Sequence, residues 1–192
     1  MNFVFFLIMV AGVVLLVMQQ RGLLPASKSK GKLPPVERNI FNLEIGDIVQ
    51  QNGIDWFVEG KLIYNIDAYS WFEYLLRDED NIRWLSVEED DLVEACIFEI
   101  VDFPNLPPTM PKRLNHEGTE YQLADSGAAK MMRLGNTLNR QEQNCHYYDY
   151  KSSTTLRLTV EIWGEDIEVC LGNKINPRSL NFLPGDGQKV YG

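Results

Sequence analysis

Sixteen consecutive residues near the N-terminus, Phe3 to Met18 (FVFFLIMVAGVVLLVM), carry neither a charge nor a polar side chain. As a helix from Met1, this segment spans about 27 Å at about 1.5 Å per residue, close to the roughly 30 Å hydrocarbon core of a bilayer. The run lacks the basic n-region of a signal peptide, and Gln19-Gln20-Arg21 follows it where small residues would mark cleavage. A soluble core helix would rarely be apolar all round. The expectation is a retained single-pass transmembrane helix over residues 1–20. Arg21, Lys28, Lys30 and Lys32 flank only its C-terminal end, which places the following domain on the cytoplasmic or stroma-like side. Within the run, Gly12 shares a helix face with Phe5, Ile8, Leu15 and Leu16, and small residues let membrane helices approach closely. These five are the expected contacts to a partner helix.

Charge is unevenly distributed behind that segment. No acid precedes Glu37, and from Leu33 onward there are 14 basic and 27 acidic residues. A body so acidic repels nucleic-acid phosphate, so nucleic acid is excluded as a partner. Residues 21–41 read as a basic Pro/Ser/Lys linker, its cations serving topology and lying close to membrane lipid. Cys96, Cys145 and Cys170 are odd in number and form no C-x-x-C, as expected in a reducing compartment.

From Asn42 the pattern has the period of β-strands. A strand is expected over Ile48–Gln51, then a hairpin turn at Asn52-Gly53, a return strand from Trp56 through Tyr64, and two strands around a turn at Asp78–Asn81. LVEACIFEIV is a fifth run, closed by the Pro-rich bridge Phe103–Pro111. The second half restarts the pattern: Glu117-Gly118 opens a strand as Asn52-Gly53 does, Leu158-Thr159-Val160-Glu161 matches Leu85-Ser86-Val87-Glu88, and Cys170 matches Cys96. The expected fold is mainly β: an N-terminal transmembrane helix, then two related antiparallel meanders at 42–103 and 112–183, and a tail at 184–192. Ser126–Asn136 reads equally as a short helix or a strand.

LEIGDIV, WFVEGKLIY, the WFEYLL and WLSVEEDD pair and the later LTVEIWGEDIEV resemble a β-rich family, the domain of unknown function 4178, across roughly residues 43–183. The resemblance implies no catalytic or binding residues. Single-pass members of this layout look cyanobacterial, which implies a thylakoid setting and photosystem subunits as clients.

Candidate chemistry is sparse. His116, His146 and Cys145 could supply metal ligands, but neighbours in a strand face opposite ways, which opposes a joint Cys145–His146 site or nucleophile pair. No P-loop, G-x-S-x-G, G-x-G-x-x-G or H-E-x-x-H occurs, so neither a cofactor nor an enzymatic reaction is expected. Glu88-Glu89-Asp90-Asp91 reads as a solvated turn. The four Trp residues and Tyr147, Tyr148 and Tyr150 exceed what a small core needs, and Trp163, beside Gly164 at a turn, is the expected exposed anchor for a partner. The function expected is a non-enzymatic accessory or assembly factor that binds an integral membrane protein complex. The alternative is a membrane-tethered module whose two β halves enclose a small molecule or lipid.

Overall fold

The computed structural model describes residues 37–104, 106–138 and 143–185. The expected membrane helix, with Phe5, Ile8, Gly12, Leu15 and Leu16, and nearly all of the expected linker and tail lie outside those residues. Among the described residues no helix is long and apolar enough to cross a membrane.

The domain is mainly β. Its strands are β1 (Ile48–Gln51), β2 (Ile54–Ile66), β3 (Tyr69–Asp78), β4 (Asn81–Glu89), β5 (Val93–Val101), β6 (Arg113–His116), β7 (Thr119–Gly135), β8 (Gln143–Lys151), β9 (Leu156–Trp163), β10 (Asp166–Ile175) and β11 (Asn181–Leu183), with one 3-10 turn at Pro177–Ser179. β1 occupies the expected residues, and the first hairpin turn has Asn52 at φ 51° and Gly53 at φ 81°. Both central residues with positive φ make the primed turn that matches strand twist.

The two expected meanders close on each other. Hydrogen-bonded neighbours run β2-β3-β4-β5-β10-β9-β8-β7, and β7 returns to pair with β2, so eight antiparallel strands form a barrel without free edges. Short β1, β11 and β6 lie outside it as flaps. Both closing contacts join residues far apart in sequence: β5 to β10, with Phe98 opposite Gly172, and β2 to β7, with Gly60 opposite Gly135.

A bulge lets each long strand serve two layers. In β2 the register slips between Val58 and Gly60. Before it, Trp56 and Val58 pack under the β1 flap; after it, Leu62 and Tyr64 point into the barrel. In β7 the slip falls between Leu123 and Asp125. Tyr121 and Leu123 pack in an outer cluster, and Ala129 and Met131 point inward. An extra residue reverses which side chains face a sheet, so there are three cores: the barrel interior and one cluster beneath each flap.

Ser126–Asn136 resolves as strand, all but Asn136 within β7. Ala128, Ala129, Met131 and Met132 favour helix in isolation, but pairing with β8 on one side and β2 on the other satisfies the backbone and overrides that preference. Trp163 requires a correction. It ends β9 before the expected turn, with Gly164 at φ 63°, yet it is 5% exposed and lies in the interior cluster with Trp84 and Phe98. Along β9, Leu158 and Val160 belong to an outer cluster, so strand alternation turns Trp163 inward. All four tryptophans are buried, and the exposed large apolar side chains are mostly aliphatic.

Candidate ligand site in the barrel mouth

An eight-stranded barrel leaves an interior that side chains can just fill, or that can hold one small ligand. This barrel does some of each. Its depth is packed by Leu62, Leu75, Trp84, Phe98, Met131 and Trp163. Toward the end where β4 turns into β5 and β8 into β9, a cavity of about 260 Å³ remains open.

Strand pairing sets the levels of its wall. At the rim, Glu88 on β4 stands opposite Glu94 on β5, and Lys151 on β8 opposite Arg157 on β9. One inward step down, Ser86 pairs with Cys96, Glu73 with Ser86, and Asp149 with Thr159. A further step brings Tyr147 beside Glu161. Glu73, Thr159 and Glu161 form the floor, and each is almost wholly buried. Asp125, the first inward residue after the β7 bulge, stands opposite Asp149 and completes the wall. The wall thus holds six carboxylates (Glu73, Glu88, Glu94, Asp125, Asp149 and Glu161) against two cations, Lys151 and Arg157.

Aromatic rings stiffen one side. Trp71 stacks on Tyr64 with centroids 4.7 Å apart and 2° between planes, and meets Tyr147 edge-on at 5.2 Å. Tyr147 covers Gly127, where a Cβ would collide with its ring. Its hydroxyl donates to Asp125 at 3.1 Å, the Tyr69 hydroxyl donates to Glu88 at 3.4 Å, and the Tyr64 hydroxyl donates to Glu73 at 3.3 Å. Lys174 on β10 donates to Glu94.

Two of these acids, Asp149 and Glu88, are shifted upward by burial and by their neighbours. Burial raises the Asp149 carboxyl to about 7; a Thr159 hydrogen bond opposes the rise, and Glu161, Glu88 and Asp125 add to it. Folded Asp149 therefore binds its proton more tightly than the unfolded chain would, and its contribution to stability declines as pH climbs from the ordinary carboxylate range to about 7. Glu88 shifts upward too, first from desolvation and then from Glu94. Cys96, in the same wall, is pushed up to about 12 by burial, which leaves it a protonated, weak nucleophile.

The candidates named from sequence disperse. Cys145 is buried in the interior while His146 is exposed, on opposite faces of β8 as alternation requires. His116, the last residue of the β6 flap, stacks on Phe103 with 4.9 Å between centroids. Of the acidic run, Glu89, Asp90 and Asp91 are exposed as expected of a solvated turn, but Glu88 lines the cavity. The wall acids that sequence reasoning missed are Glu73, Glu94, Asp125, Asp149 and Glu161. A signal for two acids was present: the paired Leu-Ser-Val-Glu and Leu-Thr-Val-Glu motifs alternate apolar residues facing out with Ser86, Glu88, Thr159 and Glu161 facing in.

The family model for Domain of unknown function (DUF4178) matches residues 44–177. The chain belongs to that family. Among its relatives, uncharacterized proteins from Mycobacterium tuberculosis and Mycobacterium bovis are each 27% identical over 147 residues, covering 72% of this chain and 70% of theirs. An uncharacterized protein from Aquifex aeolicus is 26% identical over 160 residues, covering 78% and 84%. No solved structure matches. The matched span runs from just before β1 to the 3-10 turn, so it includes every strand of the barrel and every residue of the cavity wall.

Proposed function

We propose that this protein is a non-enzymatic binding module, held at a membrane by Phe3–Met18, whose barrel mouth takes up a small polar molecule. The observation that carries the reading is the cavity itself: an open-ended space lined by converging polar groups in an otherwise packed barrel. Its wall argues against the lipid version of the idea, because acyl chains laid against six carboxyls would desolvate them without hydrogen bonds. Small molecules extracted from the purified full-length protein provide the test. Wild type should release one species in near-stoichiometric amount, and Ser86→Trp, which fills the middle of the cavity, should release several-fold less. An empty wild type, or equal release by the variant, would refute the reading.

We further infer that the barrel arose from two related halves. Both halves start with a flap hairpin turned by a positive-φ pair, Asn52-Gly53 and Glu117-Gly118. In both, the bulge follows six residues after the turn glycine, and the fourth strand pairs Ser86 with Cys96 or Thr159 with Cys170. An experimental structure with the two bulges at non-equivalent steps would remove this inference.

A second reading, docking to an integral membrane protein complex, has one supporting observation. On the outer face of the β2–β7 seam, Met132 and Leu134 are half exposed, and Ile45, equally exposed, packs over Gly135. Contiguous apolar residues outside a barrel suit an interface. A photosystem client and a thylakoid setting draw nothing from the relatives, so the client is left as an integral membrane protein. One membrane experiment addresses anchor and docking together. The protein should stay in the pellet through carbonate and high salt, because lipid burial is insensitive to screening. An integral protein co-eluting after detergent extraction should be lost from Leu134→Asp. Release by salt alone defeats the anchor, and unchanged co-elution from the variant defeats the docking face.

A further inference from the structure

We propose that the molecule taken up in the barrel mouth is a small organic cation bearing an ammonium group, seated between the floor carboxylates Glu73 and Glu161 and the aromatic wall of Tyr69, Trp71 and Tyr147. This rests on the preceding reading that the cavity binds a small molecule, and adds its chemical class.

Three observations converge on that class. The cavity of about 260 Å³ holds roughly eight or nine water-sized groups, the size of a short alkylamine rather than a nucleotide or a sugar chain. Its charge is one-sided. Lys151 and Arg157 both stand at the rim on neighbouring strands, and Lys174 is engaged by Glu94, so an anion entering the cup would meet a preponderance of carboxyls. The third observation is the aromatic corner. A fixed Trp–Tyr arrangement beside carboxylates is how proteins hold alkylammonium groups, the ring faces attracting the charge and the acids accepting its N–H bonds.

A metal ion is the competing cation. Among the described residues no three His, Cys, Asp or Glu side chains converge closely enough to hold one. The carboxyls are spread over two inward steps of several strands, each step about 6.6 Å along a strand. That spacing suits an elongated organic molecule and not a single point charge.

Asp149 supplies an independent readout. It faces Thr159, Glu161 and Arg157 of β9, Asp125 of β7, Glu88 of β4, Glu94 of β5, Glu73 of β3, and Lys151 on its own strand, with Lys174 of β10 behind Glu94. A bound ammonium lowers its affinity for a proton. Cation binding must therefore strengthen as pH rises through about 7 and release protons as it occurs.

Calorimetry on the full-length protein in detergent tests this with n-butylammonium and 1,5-diaminopentane, against n-butanol and butyrate as neutral and anionic counterparts of similar shape. The ammonium probes should bind, the others should not, and affinity should increase from pH 6 to pH 8. Glu161→Gln and Asp149→Asn, both near-isosteric, should each weaken binding roughly 10- to 100-fold. Asp149→Asn should also flatten the pH dependence, which general damage to the fold would not do. Preference for butyrate or butanol would overturn the proposal, as would ammonium binding indifferent to both substitutions. Should none of the probes bind while wild type still releases a small molecule that Ser86→Trp does not, the cationic class fails and the binding reading survives. If neither occurs, both fail.

Discussion

Replacing Gly60 with Ala should lower the melting temperature by about 10 °C, measured by circular dichroism on the purified protein. Gly60 follows the β2 bulge and belongs to both seams of that strand, opposite Leu75 of β3 and Gly135 of β7. A Cβ there would be driven into the Asn136 carbonyl oxygen. Asn136 cannot yield freely: its backbone N–H donates to the Glu59 carbonyl at 3.0 Å, and its side chain donates to the Glu59 carboxylate at 2.9 Å. The other oxygen of that carboxylate holds Arg77 at 2.7 Å. Overpacking of about 1–3 kcal/mol, added to the loss of one or two hydrogen bonds at about 1 kcal/mol each, gives about 2–5 kcal/mol. At about 2–4 °C per kcal/mol for a chain of this size, that is roughly 10 °C. Gly53→Ala is the control. Its added methyl meets nothing within 4 Å, so only the positive φ of 81° penalises it, about 1 kcal/mol. Equal melting of the two variants would show that the β2–β7 seam is not where the barrel is held shut.

The contrast between those glycines marks how much of the fold could be read in advance. Gly53 announces itself, because Asn-Gly between two alternating runs is a local signal with a local cause. Gly60 does not. Its importance comes from a strand some seventy-five residues away, and nothing in WFVEGKLIY specifies that partner. Strand residues and turns were accordingly legible where the physics is local, at Ile48–Gln51, Asn52-Gly53 and the turn after Asp78. Closure was not, since pairing of β5 with β10 and β2 with β7 depends on contacts without a sequence period. The bulges had the same effect on sidedness: even-numbered residues of β2 face the flap before Glu59 and the interior after it, so an uninterrupted alternation assigns half of them wrongly.

The candidate site was hidden for a related reason. A carboxylate within an apolar strand, such as Glu73 in WFEYLL or Glu161 in LTVEIW, reads as the solvent face of a half-buried sheet. In a closed barrel the polar face of such a strand can be the inner one. Trp163 is expected at the surface because it stands beside Gly164 at a turn, yet strand alternation turns its ring into the interior. Once closure is known, the repeated Leu-x-Val-Glu motif becomes a statement about the lumen: Leu85, Val87, Leu158 and Val160 pack outward, and their polar neighbours line the mouth.

Asp47→Ala is expected to cost about as much as the seam substitution, through a different failure. Asp47 is 1% exposed, yet it binds three separate segments. Its carboxylate accepts the Glu44 N–H at 2.7 Å and the Gly185 N–H at 2.7 Å from far along the chain, and forms an ion pair with the Arg38 guanidinium at 2.7 Å. Alanine would strand two amides and leave Arg38, whose side chain is mostly buried, with the exposed Glu44 as its acidic partner among the described residues. Breaking one side of a buried charge pair costs about 3–5 kcal/mol. Asp47→Asn keeps an accepting oxygen and loses the charge, so it should recover part of the loss. The damage should also be regional, because Asp47 anchors the flap and lines no part of the cavity. In hydrogen exchange, protection at Ile48–Gln51 and Asn181–Leu183 should fall first, while β4, β5, β9 and β10 retain theirs and ligand affinity is unchanged. Uniform loss of protection across all these strands would mean that flap and barrel unfold as one cooperative unit, and that the outer cluster under β1 has no stability separable from the interior.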